Sequence, residues 1–181
     1  IMSNSAKYMN DLIAGLLKHG DHEQSKIKTE IVDITLIIQE IVDIFKVTDK
    51  YKHALITYSQ MPLIVGYQVL LKEMMQNLLS NAIKFNRQQV PHVTIKCEDI
   101  GLFWQFSVED NGIGISKNYL RKIFGKGVRL HQNSDYEGQG LGLYQCNRII
   151  NDLGGKMWVK SFENKGSSFY FIIPKSDLEA E

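Results

Sequence analysis

Apolar positions recur along this chain in two rhythms, one at every third or fourth residue and one at every second. The first rhythm marks residues 3–19, where Met9, Leu12, Ile13, Leu16 and Leu17 follow one another at steps of three, one, three and one. That stripe predicts an amphipathic helix. Gly20 stops it, and the polar run over residues 20–28 reads as a short linker. Residues 30–34 suit a short strand, and Leu36, Ile37, Ile41, Val42, Ile44 and Phe45 mark a helix to about residue 49. Short strands are predicted at 54–59 and 63–65, divided by Pro62. Val69, Leu70, Met74, Leu78 and Ile83 then give a helix over residues 69–85 its buried face. Residues 92–98 and 103–108 alternate as a hairpin about Ile100 and Gly101. Ser116 can cap a helix reaching Phe124, and a further helix over 140–153 stops at Gly154 and Gly155. Strands at 156–161 and 168–173, joined by a turn at Asn164-Lys165-Gly166, complete the pattern. Strands with helices along one face make an α+β chain, a two-layer α/β sandwich preceded by one amphipathic helix.

Composition narrows the class without naming a chemistry. At 181 residues the chain is one domain, or one domain with an appendage, and can bury a real core. Lys and Arg number 21 against 20 Asp and Glu, so no basic surplus points to nucleic acid. No apolar run is long enough for a membrane span, and no signal-peptide pattern is present. Cys97 and Cys146 lie far apart, without metal-ligand spacing, and read as buried free thiols in a reducing cytosol.

Three stretches carry candidate chemistry. On the helix over 69–85, Glu73, Asn77, Asn81 and Lys84 fall four, four and three apart and share the stripe opposite the apolar one. Asparagine is a poor helix former, and two in register above a lysine are unusual for a solvent face. Amide oxygens are hard ligands suited to Mg²⁺, and the lysine can meet phosphate; a plain polar face is the alternative. Next comes Asp110-Asn111-Gly112-Ile113-Gly114 at the end of an apolar strand. A carboxylate there can accept from the exocyclic amino group of a purine, or can simply cap a turn. Last, Gly138-Gln139-Gly140-Leu141-Gly142 opens a helix, whose free N–H groups and dipole favour phosphate oxygens. Residues 119–137 between them are glycine-dotted and polar, which suits a mobile lid. Lys126, Arg129 and His131 can reach phosphates from it or stand as solvated charges, and Phe85 can pack on a base or fill core.

An Asn-bearing helix, D-x-G-x-G and G-x-G-x-G in that order resemble the ATP-binding domain of sensor histidine kinases, over about residues 30–175. That family shares a superfamily with type II topoisomerases, Hsp90 chaperones and MutL repair proteins. The resemblance implies the Bergerat fold, a mixed sheet with helices on one face, holding ATP with Mg²⁺. It implies that Asn81 coordinates the metal with Asn77 in support, and that Lys84 meets phosphate. Asp110 would read adenine while Gly112 and Gly114 let the backbone approach it, and Ser168 would support the aspartate through water. Gly138, Gly140, Leu141 and Gly142 would hold the phosphates, with Phe85, Phe124 and Lys126 lining the nucleotide. Asn77, Lys84 and Arg129 are the candidate catalytic residues. In the family's lid two phenylalanines flank a charged pair; here Phe124 stands at the first place and Gly127 at the second. Arg129-Leu130-His131 and Asp135-Tyr136-Glu137-Gly138 resemble the lid of phytochrome-like histidine kinases.

The expectation is therefore a protein-histidine kinase domain of a two-component phosphorelay. Residues 1–24 would be the tail of a dimerisation helix with its linker, and residues 25–181 the catalytic domain. The γ-phosphoryl would pass to a histidine on a separate hairpin of the same kinase, and then to a response-regulator receiver domain. A homodimer at full length, a cytoplasmic domain and a full-length protein open to membrane anchoring go with that reading. None of His19, His22, His53, His92 and His131 stands in the family's H-E-x-x-x-P setting. Two other functions stay open on the residues: a hydrolysing ATPase of the superfamily, and a nucleotide-sensing module without transfer.

Overall fold

The computed structural model of the chain describes residues 29–87, 90–129 and 140–176. The helix expected at 3–19, its linker, His131 and Gly138 lie outside the described residues. Strand β1 (Glu30–Asp33) runs into helix α1 (Ile34–Val47). The expected strand end and helix start meet at Asp33, whose Oδ1 accepts from Thr35 N at 2.8 Å and Leu36 N at 3.2 Å. Such a cap satisfies two donors the helix cannot, and contributes about 1 kcal/mol. Strands β2 (Leu55–Tyr58) and β3 (Leu63–Gly66) follow, then helix α2 (Gln68–Lys84). The β4 (His92–Asp99) and β5 (Phe103–Asp110) hairpin leads through a long connection to helix α3 (Gly142–Asp152), and β6 (Lys156–Ser161) and β7 (Ser167–Pro174) close the chain.

The main sheet has the order β2-β4-β5-β7-β6. Only β2 and β4 run parallel in it; the other three pairings are antiparallel, so the sheet is mixed. Strands β1 and β3 form a separate antiparallel ribbon. The strict alternation of strand side chains divides the main sheet. Val93, Ile95, Phe106, Val108, Met157, Phe169, Phe171 and Ile173 face inward and join the buried side chains of all three helices in one cluster. Phe106 and Phe171 stack across strands with ring centroids 4.9 Å apart. The other face carries Lys96, Glu109, Lys160 and Tyr170 in polar and aromatic contacts.

Helix α2 is the middle of the core. Its buried residues are Leu71, Met74, Met75, Leu78, Leu79, Ala82 and Ile83, and cutting any of the larger ones to Ala would cost ~2–5 kcal/mol. Val69, expected on that face, is 77% exposed because it shares its helical phase with Glu73 and Gln76, both exposed, on the side turned away from the core. Helix α3 ends as its glycines predict: Gly154, at φ +75°, donates to Asn151 O and Gly155 donates to Ile150 O, the Schellman pair of bonds.

The helix expected over 116–124 is a run of turns instead. Tyr119 N donates to Ser116 O, Lys122 N to Tyr119 O and Gly125 N to Lys122 O, all three residues back. Of this stretch Ile123 alone is fully buried, too small an anchor to stabilise so short a helix. Strand β5 runs two residues beyond its expected end, because Asp110 still pairs with both Val93 and Ser167.

Candidate functional site

The expected residues converge where the C-terminal half of α2, the end of β5 and the start of α3 meet. Asn77, Asn81 and Lys84 project from one side of α2 and are half-buried, whereas Glu73, one turn earlier, is exposed. The helix is closed by Phe85, whose N–H donates to Asn81 O at 3.0 Å, and the ammonium of Lys84 lies 4.7 Å from the Phe85 ring centre. Phe85 O in turn accepts from Ile113 N at 2.9 Å, which clips the loop after β5 onto the helix end. Asn111 adds a second clip. Its Oδ1 accepts from Asn86 Nδ2 and from His92 N, and its Nδ2 donates to Val90 O.

That loop leaves no room for side chains at its glycines. A Cβ on Gly112 would lie 2.4 Å from Phe85 O and 2.7 Å from Asp110 Oδ1. One on Gly114, at φ +68°, would lie 2.0 Å from Phe162 O. The two glycines therefore serve first to let three strands of backbone crowd together.

Asp110 is held by one oxygen. Its Oδ1 accepts from Gly112 N at 2.8 Å and Ser167 N at 3.2 Å, while Oδ2 has no partner among the described residues. Burial pushes the carboxyl up to about 6, against the pull of those two N–H donors. A half-satisfied, desolvated carboxylate is poised to accept from a ligand N–H.

Helix α3 presents the opposite charge. No side chain caps its N-terminus, no acidic residue stands in its first turn, and Leu141 occupies the N-cap. A Cβ on Gly142 would sit 3.3 Å from Asn77 Oδ1, so the helix start lies against the asparagine row of α2. Gly140 is at φ +72°, and a Cβ there would lie 2.6 Å from Val128 O. Free N–H groups at such a helix start favour phosphate. Phe124 is half-buried against the core, while Lys126 and Arg129 are exposed on the segment leading to residue 130.

Among the described residues no cluster of three or more His, Cys, Asp or Glu could hold a metal ion. A cation here would lean on an asparagine amide and on oxygens the ligand brings. That donor set fits Mg²⁺, which keeps few protein ligands.

One site residue moves. Ser168 pairs with Glu109 on the outer face, and Ser167 is the residue that stands opposite Asp110. Counting back along the inward residues Ile173, Phe171 and Phe169 gives Ser167, so the pleat of β7 carried the signal. Ser161 was also missed, a buried residue at the end of β6 whose hydroxyl reaches both Ile115 and Gly166.

Comparison with known proteins bears on the family and the fold. The family described as "Histidine kinase-, DNA gyrase B-, and HSP90-like ATPase" matches residues 66–177. The chain is 32% identical over 173 residues to cyanobacterial phytochrome A of Nostoc sp., covering 96% of this chain and 23% of that protein. It thus spans under a quarter of that relative's length. Among solved structures, the nucleotide-free catalytic domain of histidine kinase ThkA matches with TM-score 0.69 and 26% identity, over 82% of this chain and 96% of that one. Full-length ShkA in complex with AMPPNP matches with TM-score 0.70 and 25% identity, over 84% of this chain and 32% of that one.

Proposed function

Because the chain belongs to the histidine kinase-, DNA gyrase B- and HSP90-like ATPase family, we propose that it binds Mg-ATP and delivers the γ-phosphoryl to a histidine of the same kinase. The observation that carries this reading is Asp110, with Oδ1 pinned by two backbone N–H groups and Oδ2 open beside a glycine-lined loop. Adenine offers its 6-amino group to Oδ2. The nucleotide then runs along α2, where Asn81 supports the metal, Lys84 meets phosphate oxygens, and the uncapped start of α3 at Leu141 and Gly142 receives others. With Asn81 as its protein ligand, a bound Mg²⁺ would supply neutralisation of the phosphate charge.

In such a transfer the protein acts mostly by position and charge. Asn77 supports this over hydrolysis. It stands four residues before Asn81, where hydrolysing relatives of the resembled superfamily carry a water-activating glutamate, and an amide is no general base at neutral pH. The reading assigns residues 1–24 to the end of a dimerisation helix with its linker, and residues 25–181 to the catalytic unit. A dimeric hairpin would supply the phosphoacceptor histidine, and a receiver domain would take the phosphoryl onward. Lys126 and Arg129, exposed on the segment beyond Phe124, would follow the phosphates, and Gly138 would belong to the same phosphate-binding set.

The test is incubation with γ-labelled ATP and Mg²⁺, with and without a dimeric histidine-bearing hairpin. The expected outcome is label on the hairpin and almost no released phosphate in its absence. Steady phosphate release by the chain alone would overturn transfer in favour of hydrolysis.

A further inference from the structure

Two buried serines decide which way hydrogen bonds run beside Asp110. Ser161 Oγ donates to Gly166 O at 2.7 Å, accepts from Ile115 N at 2.8 Å, and lies 3.0 Å from Ser167 Oγ. A serine hydroxyl has one proton and two lone pairs. At 2.7 Å the carbonyl of Gly166 and the hydroxyl of Ser161 must share a proton, and a carbonyl has none to give. The proton of Ser161 is therefore spent on Gly166, and one of its lone pairs on Ile115. Its contact with Ser167 is satisfied in one way only: Ser167 donates. That consumes the single proton of Ser167 and leaves its Oγ with acceptor capacity alone.

Ser167 stands opposite Asp110 in the register of β5 and β7, and its own N–H donates to Asp110 Oδ1. Both serines are buried, so bulk water does not scramble their hydroxyls. We infer that Ser161 is a positioning residue for base selection: it fixes the Ser167 hydroxyl as an acceptor beside the Asp110 carboxylate, a wall of two acceptors that favours an amino edge over a carbonyl edge. The inference rests on the reading of Asp110 as the base-reading carboxylate. The donor that this wall takes is the 6-amino group itself or a water between it and Ser167.

The experiment compares the affinities of Mg-ATP and Mg-ITP, since inosine carries a carbonyl at position 6 in place of the amino group, with a proton on the neighbouring N1. Ser161→Ala frees the Ser167 proton to meet that carbonyl, and the ATP-over-ITP ratio should fall roughly tenfold. Ser161→Thr keeps the hydroxyl and should keep the ratio. A merely structural role would weaken both nucleotides alike in Ser161→Ala, and an unchanged ratio in the folded variant overturns the inference. Ser167→Ala guards against a variant that fails to fold, because Ser161 keeps its bonds to Ile115 and Gly166. There the ratio must also fall, through weaker ATP binding, and an unchanged ratio again overturns the inference. Parent protein that binds ATP and ITP equally would remove the base-reading role of Asp110 and this inference with it. A parent preference that survives in all three variants removes the role of Ser161 alone.

Discussion

At the Asp110 end of the site almost every polar group is already bonded to the protein, while at the α3 end the helix start is left uncapped. Gly112, Ser167, Ser161, Ile115 and Gly166 hold one another in fixed geometry around one open carboxylate oxygen. At the start of α3 the N-cap residue Leu141 supplies no side-chain bond, and Gly142 lies against Asn77. The first region is built to discriminate, because a fixed acceptor leaves a mismatched ligand with an unpaired polar atom. The second is built to attract, because unspent donors and a helix dipole accept any phosphate oxygen that arrives. On the proposed reading, selectivity and attraction are carried by different residues, and they should separate under mutation.

The largest expected effect lies at the selective end. Asp110→Asn keeps the acceptor for Gly112 and Ser167 but turns a donor toward the base, so ATP affinity should fall by about a hundredfold or more in calorimetry. The same variant should melt higher than the parent without ligand at pH 8. The parent carboxyl, moved by burial from 3.8 to about 6, costs the folded state on the order of 2–3 kcal/mol once ionised. A lower melting point would mean that the charge is not strained.

Asn81→Ala tests the attractive end. Mg-ATP binding should weaken by roughly tenfold to thirtyfold while metal-free adenosine binding stays unchanged. Equal losses for both would move Asn81 to the base region and erase the division.

The third effect is set by pH. Because two N–H groups hold Oδ1, protonation falls on Oδ2 and turns it from acceptor to donor, so adenosine affinity should be flat above about pH 7 and decline as pH falls through about 6. The decline approaches tenfold for each further pH unit. The sign for stability is opposite: a carboxyl whose folded value is raised destabilises the ionised protein, and that cost disappears between about 6 and 4. Adenosine affinity independent of pH from 5 to 8 would detach Asp110 from the base.

The smallest effect belongs to Gly142→Ala. The added carbon would come within 3.3 Å of Asn77 Oδ1, tight but tolerable. Mg-ATP affinity should fall by roughly threefold with adenosine unaffected, and a larger loss would mean that phosphates come closer to α3 than proposed.

The two regions also differed in how legible they were. Asp110, Gly112 and Gly114 stand in a contiguous motif, and the structure finds each of them needed for backbone contact. The row of Asn77, Asn81 and Lys84 was readable from helical spacing alone. Ser167 needed one step more, because choosing between two adjacent serines requires the strand's phase, which the alternation of Phe169, Phe171 and Ile173 supplies. Ser161 was hidden for another reason. Its partners Ile115 and Gly166 are main-chain groups brought together by tertiary contact, which leave no pattern in the sequence. Over 116–124 a good cap at Ser116 suggested a helix, but a cap cannot supply the buried face that Lys117, Asn118 and Arg121 fail to provide. Val69 shows the converse, an apolar residue whose helical phase, shared with the exposed Glu73 and Gln76, turns it to water.

The placement of the tryptophans on the sheet has a practical consequence for spectroscopy. The chain has two tryptophans, Trp158 stacked on Tyr170 at 5.5 Å, and Trp104 with the Lys175 ammonium 4.3 Å from its ring centre. Trp158 points away from the face that carries Asp110, and Trp104 lies six residues along the same strand, about 20 Å off. Intrinsic tryptophan emission is consequently a reporter of sheet integrity that is nearly blind to the nucleotide. One fluorescence trace can follow denaturation of every variant above without interference from ligand, while occupancy must be read through a label on the nucleotide.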